Sequence, residues 1–232
     1  MLYCLLIPFL GTIFGSLLIF LIKGELNKKL EVVILGLTGG IMLAASIWSL
    51  IIPSIDIGNV YKTSLGLLIG IVIFIILDDY IINKDIYIGD KVMFAISIHN
   101  IPEGAAVGVL VSSYLNGNIL LSSCLALSIG IALQNIPEGL IVSLSKVKTS
   151  NKINSFIYGV ISALFELLGC IIALLFTNFI DILLPYMLAI AGGAMIYVIV
   201  LELVPGDNKY SKFNILSFII GFIIMMILDV LL

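Results

Sequence analysis

Apolar residues run on for about twenty positions at a time along this chain, each run is broken by a short polar stretch, and the pattern repeats from end to end. A helix needs about 20 apolar residues to cross the hydrocarbon of a bilayer. Eight such runs follow one another, at roughly 2 to 22, 32 to 53, 63 to 82, 92 to 114, 119 to 145, 153 to 177, 183 to 205 and 213 to 232, each long enough by that measure. The polar connections between them, from Lys23 to Glu31, Ser54 to Lys62, Asn83 to Lys91, Tyr114 to Asn118, Lys146 to Lys152, Thr177 to Asp181 and Gly206 to Lys212, are too short for a soluble domain or a long linker. The pattern predicts a single polytopic, all-α membrane domain over residues 1–232.

Two runs break their own pattern in the same way. The fourth carries His99-Asn100-Ile101-Pro102-Glu103-Gly104, and the fifth carries Gln134-Asn135-Ile136-Pro137-Glu138-Gly139, 35 residues later. Residues four apart share a helix face, which aligns His99 with Glu103 and Gln134 with Glu138, while Asn100 and Asn135 lie about 100° further round. Pro102 and Pro137 donate no hydrogen bond to the carbonyls of Ile98 and Leu133, and such freed carbonyls are tolerated in a membrane chiefly where they meet protein, water or an ion. At about 1.5 Å per residue, Glu103 stands ~16 Å and Glu138 ~10 Å from one end of their helices, near mid-membrane. Glu166 in the sixth run adds a third carboxylate.

Each intramembrane carboxylate costs about 2.5 to 3.5 kcal/mol on insertion scales, which weighs against three of them serving packing alone. The competing reading makes the prolines hinges and pairs the polar residues across helices; membrane helices do tolerate proline. Histidine, three glutamates and amide oxygens together suit a divalent ion of borderline hardness, such as Zn²⁺, Fe²⁺, Mn²⁺ or Cd²⁺, better than Na⁺ or K⁺. Asn135 stands where a further acid would have served, so three carboxylates meet one divalent ion more easily than two.

Fainter echoes flank the doubled motif. Gly39-Gly40-Ile41-Met42 in the second run, which ends at Pro53, is answered by Gly192-Gly193-Ala194-Met195 in the seventh, which ends at Pro205. Three helices, a motif pair and three helices of opposite sense make the pattern of an inverted-repeat transporter with its site at the repeat interface. Small residues four apart (Gly11/Gly15, Gly36/Gly40/Ala44, Gly66/Gly70, Gly159/Ala163) predict close helix contacts.

Composition places the chain firmly in the membrane class, with 62% hydrophobic and 11% charged residues and a mean hydropathy of +1.29. The net charge of −3 lies largely on carboxylates inside apolar runs, and no basic face remains that could bind nucleic acid. Ten of the lysines fall in odd-numbered connections and only Lys62 in an even one, which predicts that the odd connections face the cytoplasm and both termini lie outside the cell membrane. The first run has no charged stretch before it and is read as a retained helix, not a signal peptide. Cys4, Cys124 and Cys170 are widely spaced within or beside apolar runs and are read as small packing residues. Asp78, Asp79 and Glu202 are candidates for an inner exit path. Asp56 is a weak candidate for attracting cations at the entrance, and Asp181 and Asp229 read as solvated.

The doubled motif, on a fourth and a fifth helix with Glu166 on a sixth, resembles the ZIP (Zrt/Irt-like) divalent-metal transporters, especially the bacterial ones. The resemblance extends over essentially the whole chain. It implies eight transmembrane helices in a 3+2+3 arrangement and uptake of metal into the cytoplasm through a site between helices 4, 5 and 6. It also implies two adjacent ligand sets: His99, Glu103, Gln134 and Glu138 in one, and Asn100, Asn135 and Glu166 in the other, with both motif glutamates bridging. Many members have histidine at the position of Gln134, and many have a histidine-rich loop where this chain has Asn83 to Lys91.

The metal is expected as transported ion and not as cofactor, and the partners are divalent ions and the lipid bilayer, with a homodimer compatible with this reading. An enzyme is disfavoured, because H-E-x-x-H zinc chemistry needs two histidines and the chain has one. A metal-selective channel using the same ligands stands as the alternative to alternating access.

Overall fold

A computed structural model describes residues 2–22, 27–82, 88–117, 119–147, 149–175, 177–203 and 211–231, and these residues are almost entirely helical. Helix α1 (Leu2–Leu17) ends in a 3₁₀ turn at Leu18–Leu21. α2 (Lys28–Ala45) passes through a π-helical turn at Ser46–Ile51 into α3 (Ile52–Ile57). α4 (Val60–Ile82), α5 (Ile88–Leu115), α6 (Leu121–Val147) and α7 (Lys152–Leu175) follow. α8 (Thr177–Val198) closes with a second π-helical turn at Ile199–Leu203, and α9 (Ser211–Leu231) completes the chain. Among the described residues, seven of the helical runs are long and apolar enough to cross a membrane.

Asparagines start several of these helices. The Asn27 side chain accepts from the Lys29 N–H at 3.0 Å, Asn59 from Lys62 at 2.9 Å and Asn151 from Asn154 at 2.8 Å, each satisfying a donor that a helix N-terminus leaves unpaired. Two boundaries differ from the expectation. The second run does not stop at Pro53, because the helix carries on through that residue into α3 as far as Ile57. Only Gly58 and Asn59 then link α3 to α4. Thr177 to Asp181, expected as a connection, forms the first turns of α8. Both differences have one cause: apolarity reports the hydrocarbon-facing part of a helix, whereas backbone hydrogen bonding carries the helix on into the polar interface.

Four helix pairs make the most extensive contacts: α1 with α6, α5 with α7, α2 with α9, and α4 with α8. Glycines determine how close they come. Gly15 rests against the Ile136 backbone and Gly139 against that of Thr12, joining α1 to α6. Gly169 rests against Ile101 and Gly104 against Glu166, joining α7 to α5 in the same way. Gly40 and Gly221 lock α2 to α9, and Gly70 and Gly193 lock α4 to α8. At each of these contacts a β-carbon would collide with the neighbouring backbone, so the predicted small-residue spacings are the seams of the bundle.

The main apolar core gathers Met42, Ile96, Ile141, Val142, Met195, Ile199 and Leu203. Cys4, Cys124 and Cys170 are buried, free thiols, with Cys4 and Cys124 packed together beside Val111. Lysines collect at the end where α6 stops and α7 starts. Lys152 donates to the Ile22 carbonyl, Lys146 lies 4.5 Å from the Tyr158 ring centroid, and Lys29 lies 4.0 Å from that of Phe213.

Candidate metal centre

The two Asn-Ile-Pro-Glu-Gly motifs lie mid-helix in α5 and α6, and their polar side chains turn into the bundle. Asn100, Glu103, Gln134, Asn135, Glu138 and Glu166 are all buried, at 3% exposure or less. Burying this many polar groups is tolerable only if they pair with one another or with a guest.

Two pairings bring sequence-distant members of the predicted set together. The Gln134 amide donates to Glu103 Oε1 at 2.9 Å, bridging α6 to α5. The Asn135 amide donates to Glu166 Oε2 at 3.0 Å, bridging α6 to α7, and reaches the Pro8 carbonyl of α1 at 3.5 Å. Asn100 is held differently: its amide donates to the Ser162 carbonyl at 3.2 Å and the Ser162 hydroxyl at 3.3 Å, one turn before Glu166. Glu138 and Glu166 lie near enough to Glu103 for their charges to act on it, and Glu138 near enough to Glu166.

What these hydrogen bonds leave over is oxygen. Asn100 Oδ1, Glu103 Oε2, Gln134 Oε1, Asn135 Oδ1 and Glu166 Oε1 are buried and have no hydrogen-bond partner among the described residues. Buried acceptors left unmatched beside mutually repelling carboxylates form a cation-seeking surface. Among the described residues no three His, Cys, Asp or Glu side chains are grouped to hold a metal ion. His99 lies on α5, and its side chain is outside the described residues.

The acids away from the centre divide. Asp78 accepts from the Tyr197 hydroxyl at 3.2 Å and ties α4 to α8, while Asp79 and Asp56 are exposed. The side chains of Asp181 and Glu202 lie outside the described residues. Asp229 corrects the expectation of a solvated acid: it is half-buried, accepts from the Ser49 hydroxyl at 3.1 Å and lines a cavity of about 380 Å³. Trp48, Ser113, Ser123, Gly130 and Leu188 share the lining with it. The reason is that a helix end is wet only when nothing packs over it, and here the π-helical turn after α2, with Trp48 and Ser49, does. On the cavity floor, Ala106 stands one helical turn from Glu103, and Gly130 one turn from Gln134. Sequence reasoning missed this role because Asp229 sits near the end of an apolar run without a motif around it.

Comparison with known proteins bears on the same region. Residues 87–229 match the family model described as ZIP Zinc transporter. The chain is 27% identical over 232 residues to Zinc transporter GufA of Myxococcus xanthus, covering 90% of each protein. It is 28% identical over 252 residues to Zinc transporter ZIPB of Bordetella bronchiseptica, covering 95% of this chain and 77% of that one. It is 37% identical over 145 residues to human Zinc transporter ZIP11, covering 60% of this chain and 42% of that one, under half of the longer protein.

Proposed function

The chain belongs to the ZIP zinc transporter family, and from that premise we propose that it carries a divalent transition metal, Zn²⁺ before Fe²⁺, Mn²⁺ or Cd²⁺, into the cytoplasm by alternating access. It is a multi-pass membrane protein, with seven helices among the described residues long and apolar enough to cross a bilayer. The observation that carries the proposal is the buried seam across α5, α6 and α7, where Gln134 bridges to Glu103 and Asn135 to Glu166 while five oxygens point at no donor among the described residues. A dehydrated cation replaces those missing donors. His99, Glu103, Gln134 and Glu138 would hold the ion, with Asn100, Asn135 and Glu166 beside them.

Reciprocal packing supports the 3+2+3 inverted-repeat reading. Gly15 on Ile136 is matched by Gly169 on Ile101, and Gly139 on Thr12 by Gly104 on Glu166, so that α1 bears on α6 as α7 bears on α5. Asn135 reaches the Pro8 carbonyl as Asn100 reaches that of Ser162. In the outer helices, Gly70 against Ile190 and Ala194 is matched by Gly221 against Leu37 and Ile41. Even the two π-helical turns, Ser46–Ile51 and Ile199–Leu203, follow the paired Gly-Gly-x-Met segments at the same spacing. Such turns cluster at functional positions, and repeat interfaces are where transporters bind cargo.

The lysines gathered where α6 ends support a cytoplasmic position for that end. The Asp229 cavity then lies on the outer side and the core of Ile96, Ile141, Ile199 and Leu203 on the inner side, an outward-facing arrangement. Uptake of ⁶⁵Zn²⁺ into vesicles holding the purified protein tests the proposal, with Glu103→Gln and Glu138→Gln reducing it to background. Uptake at the normal rate by either well-folded variant removes these carboxylates from the path.

A further inference from the structure

Two reactive side chains from distant parts of the chain meet away from the metal centre. Cys4 stands in the first turn of α1 and Cys124 in the first turn of α6, both fully buried, and their thiols are hydrogen-bonded to each other. Val111, Leu5, Leu110 and Leu125 pack around them. Cys170 shows the ordinary case of a packing cysteine: it belongs to a different cluster, with Val107 and Ile131, one helical turn beyond Glu166.

The backbone sets the pair face to face. Gly11 rests on Ala132 and Gly15 on Ile136, so α1 and α6 run in the same direction in one constant register, with their backbones in contact. Carried back towards the helix starts, that register brings Cys4 level with Leu125, the neighbour of Cys124. Helices this close allow the ~3.8 Å between β-carbons that a disulfide needs, and thiols already hydrogen-bonded have only to rotate to reach bonding distance. The pair lies just under the surface, since Tyr3 beside Cys4 and Leu120 one turn before Cys124 are both exposed. First turns of helices open more readily than their middles, and that opening admits a small reagent.

We infer that Cys4 and Cys124 are a modification site, a thiol pair that a low-molecular-weight disulfide oxidises to a bridge between α1 and α6. One thiol loses its proton and attacks a sulfur of the reagent R–S–S–R, expelling one RS⁻ and leaving a mixed disulfide. The second thiol, deprotonated in turn, attacks the protein sulfur of that mixed disulfide and expels the other RS⁻. The two protons pass to the two expelled thiolates, so the protein pair is oxidised by two electrons and the reagent is reduced to two RSH. The product carries no charge, which suits an apolar surrounding. The bridge closes a loop holding everything from α1 to α5 and pins the seam where the Pro8 carbonyl, one turn from Cys4, accepts from Asn135. Backbone contact already keeps α1 and α6 in register, so the bridge stabilises the protein without stopping transport. The inference rests on the proposed orientation in one respect: with the starts of α1 and α6 outside the cell membrane, the pair faces the compartment where disulfides persist.

Treating the purified full chain in lipid nanodiscs with dipyridyl disulfide, then denaturing it in N-ethylmaleimide, tests the pair without reference to transport. We expect alkylated thiols to fall from three to one, with the Cys4 and Cys124 peptides joined and Cys170 alkylated. Cys170→Ala should keep the bridge, while Cys4→Ala and Cys124→Ala should each abolish it; the wild-type measurement stands even if an alanine variant fails to fold. The oxidised protein should unfold several degrees higher than the reduced one, and dithiothreitol should reverse the gain. Zn²⁺ uptake into vesicles should differ by less than about twofold between the two forms, because the bridge joins helices that already hold one register. Three alkylated thiols after oxidation, a bridge that includes Cys170, or one that only links two chains overturns the site. A bridge that lowers the unfolding temperature or halts uptake overturns the stabilising role. Normal uptake without any bridge defeats this inference alone and leaves metal transport standing. A bridge in a protein that moves no metal, reduced or oxidised, does the reverse.

Discussion

At the scale of single residues, Gln134 and Asn135 set the character of the site because each stands where a stronger ligand would fit. Gln134 contributes an amide whose nitrogen is spent on Glu103, while its oxygen has no hydrogen-bond partner among the described residues. Replacing it with histidine supplies a softer nitrogen donor. We expect Gln134→His to shift competition between Zn²⁺ and Mn²⁺ towards Zn²⁺ by about tenfold, the effect of about 1.4 kcal/mol, measured as ⁶⁵Zn²⁺ uptake against unlabelled Mn²⁺. An unchanged profile removes Gln134 from the ligands. Asn135→Asp adds a fourth carboxylate beside Glu166, enough charge for a second divalent ion. Metal analysis after equilibrium dialysis should then rise from one Zn²⁺ per chain to two, and a value still at one would show that charge does not set the stoichiometry. The residues of both motifs were legible from sequence because carboxylates and amides inside apolar runs stand out against their surroundings. The place of Thr12 beside Glu166 was not, since a lone hydroxyl in a membrane helix usually bonds its own backbone and carries no signal.

At the scale of helices, the site is only as well placed as the seams that hold α5 and α6. Gly104 and Gly139 each follow a motif glutamate, and each sits where a β-carbon would strike backbone, of Glu166 in one case and Thr12 in the other. Backbone cannot swing aside as a side chain can. Gly104→Ala should therefore force α5 away from α7, cost about 1 to 3 kcal/mol, and weaken metal retention along with it. Gly139→Ala should do the same between α6 and α1. Thermal unfolding in detergent measures the first effect and bound Zn²⁺ the second. A variant with unchanged unfolding and full metal content would mean that the seams carry no strain to the site. Glycine spacing foretold close contacts but not their partners. Which helix each glycine meets depends on residues far away in the chain, and no local pattern encodes that.

At the scale of the whole molecule, alternating access requires that the cavity by Asp229 and the sealed core opposite it exchange roles. With Cys4, Cys124 and Cys170 replaced by alanine, Ser123→Cys in the cavity wall should react with an impermeant thiol reagent while Ile141→Cys, in the core, stays protected. Conditions that favour the inward-facing state should reverse both. Ser54, which the sequence places near the outer mouth, is a poor reporter, because it is buried and bonded to Thr63 at 2.8 Å and to the Pro185 carbonyl at 2.7 Å. If Ser123→Cys and Ile141→Cys were reactive together under every metal condition, the protein would conduct as a channel, since a carrier never leaves its midplane carboxylates open to both sides.

The sequence by itself determined the membrane class, the positions of the apolar runs and the polar residues of the doubled motif. Each of these is a local cost visible in the residues: apolar length matched to the bilayer, or charge placed where lipid would exclude it. Tertiary structure alone decided that Gln134 joins Glu103 while Asn135 joins Glu166, that Thr12 lies beside Glu166, and that Asp229 lines a cavity. These follow from which helices pack together, and that is settled by glycine contacts between segments far apart in the chain, such as Gly15 on Ile136. Lipid is as apolar as the helices it surrounds, so hydrophobicity brings every run into the membrane without choosing its neighbour; shape and backbone approach make that choice.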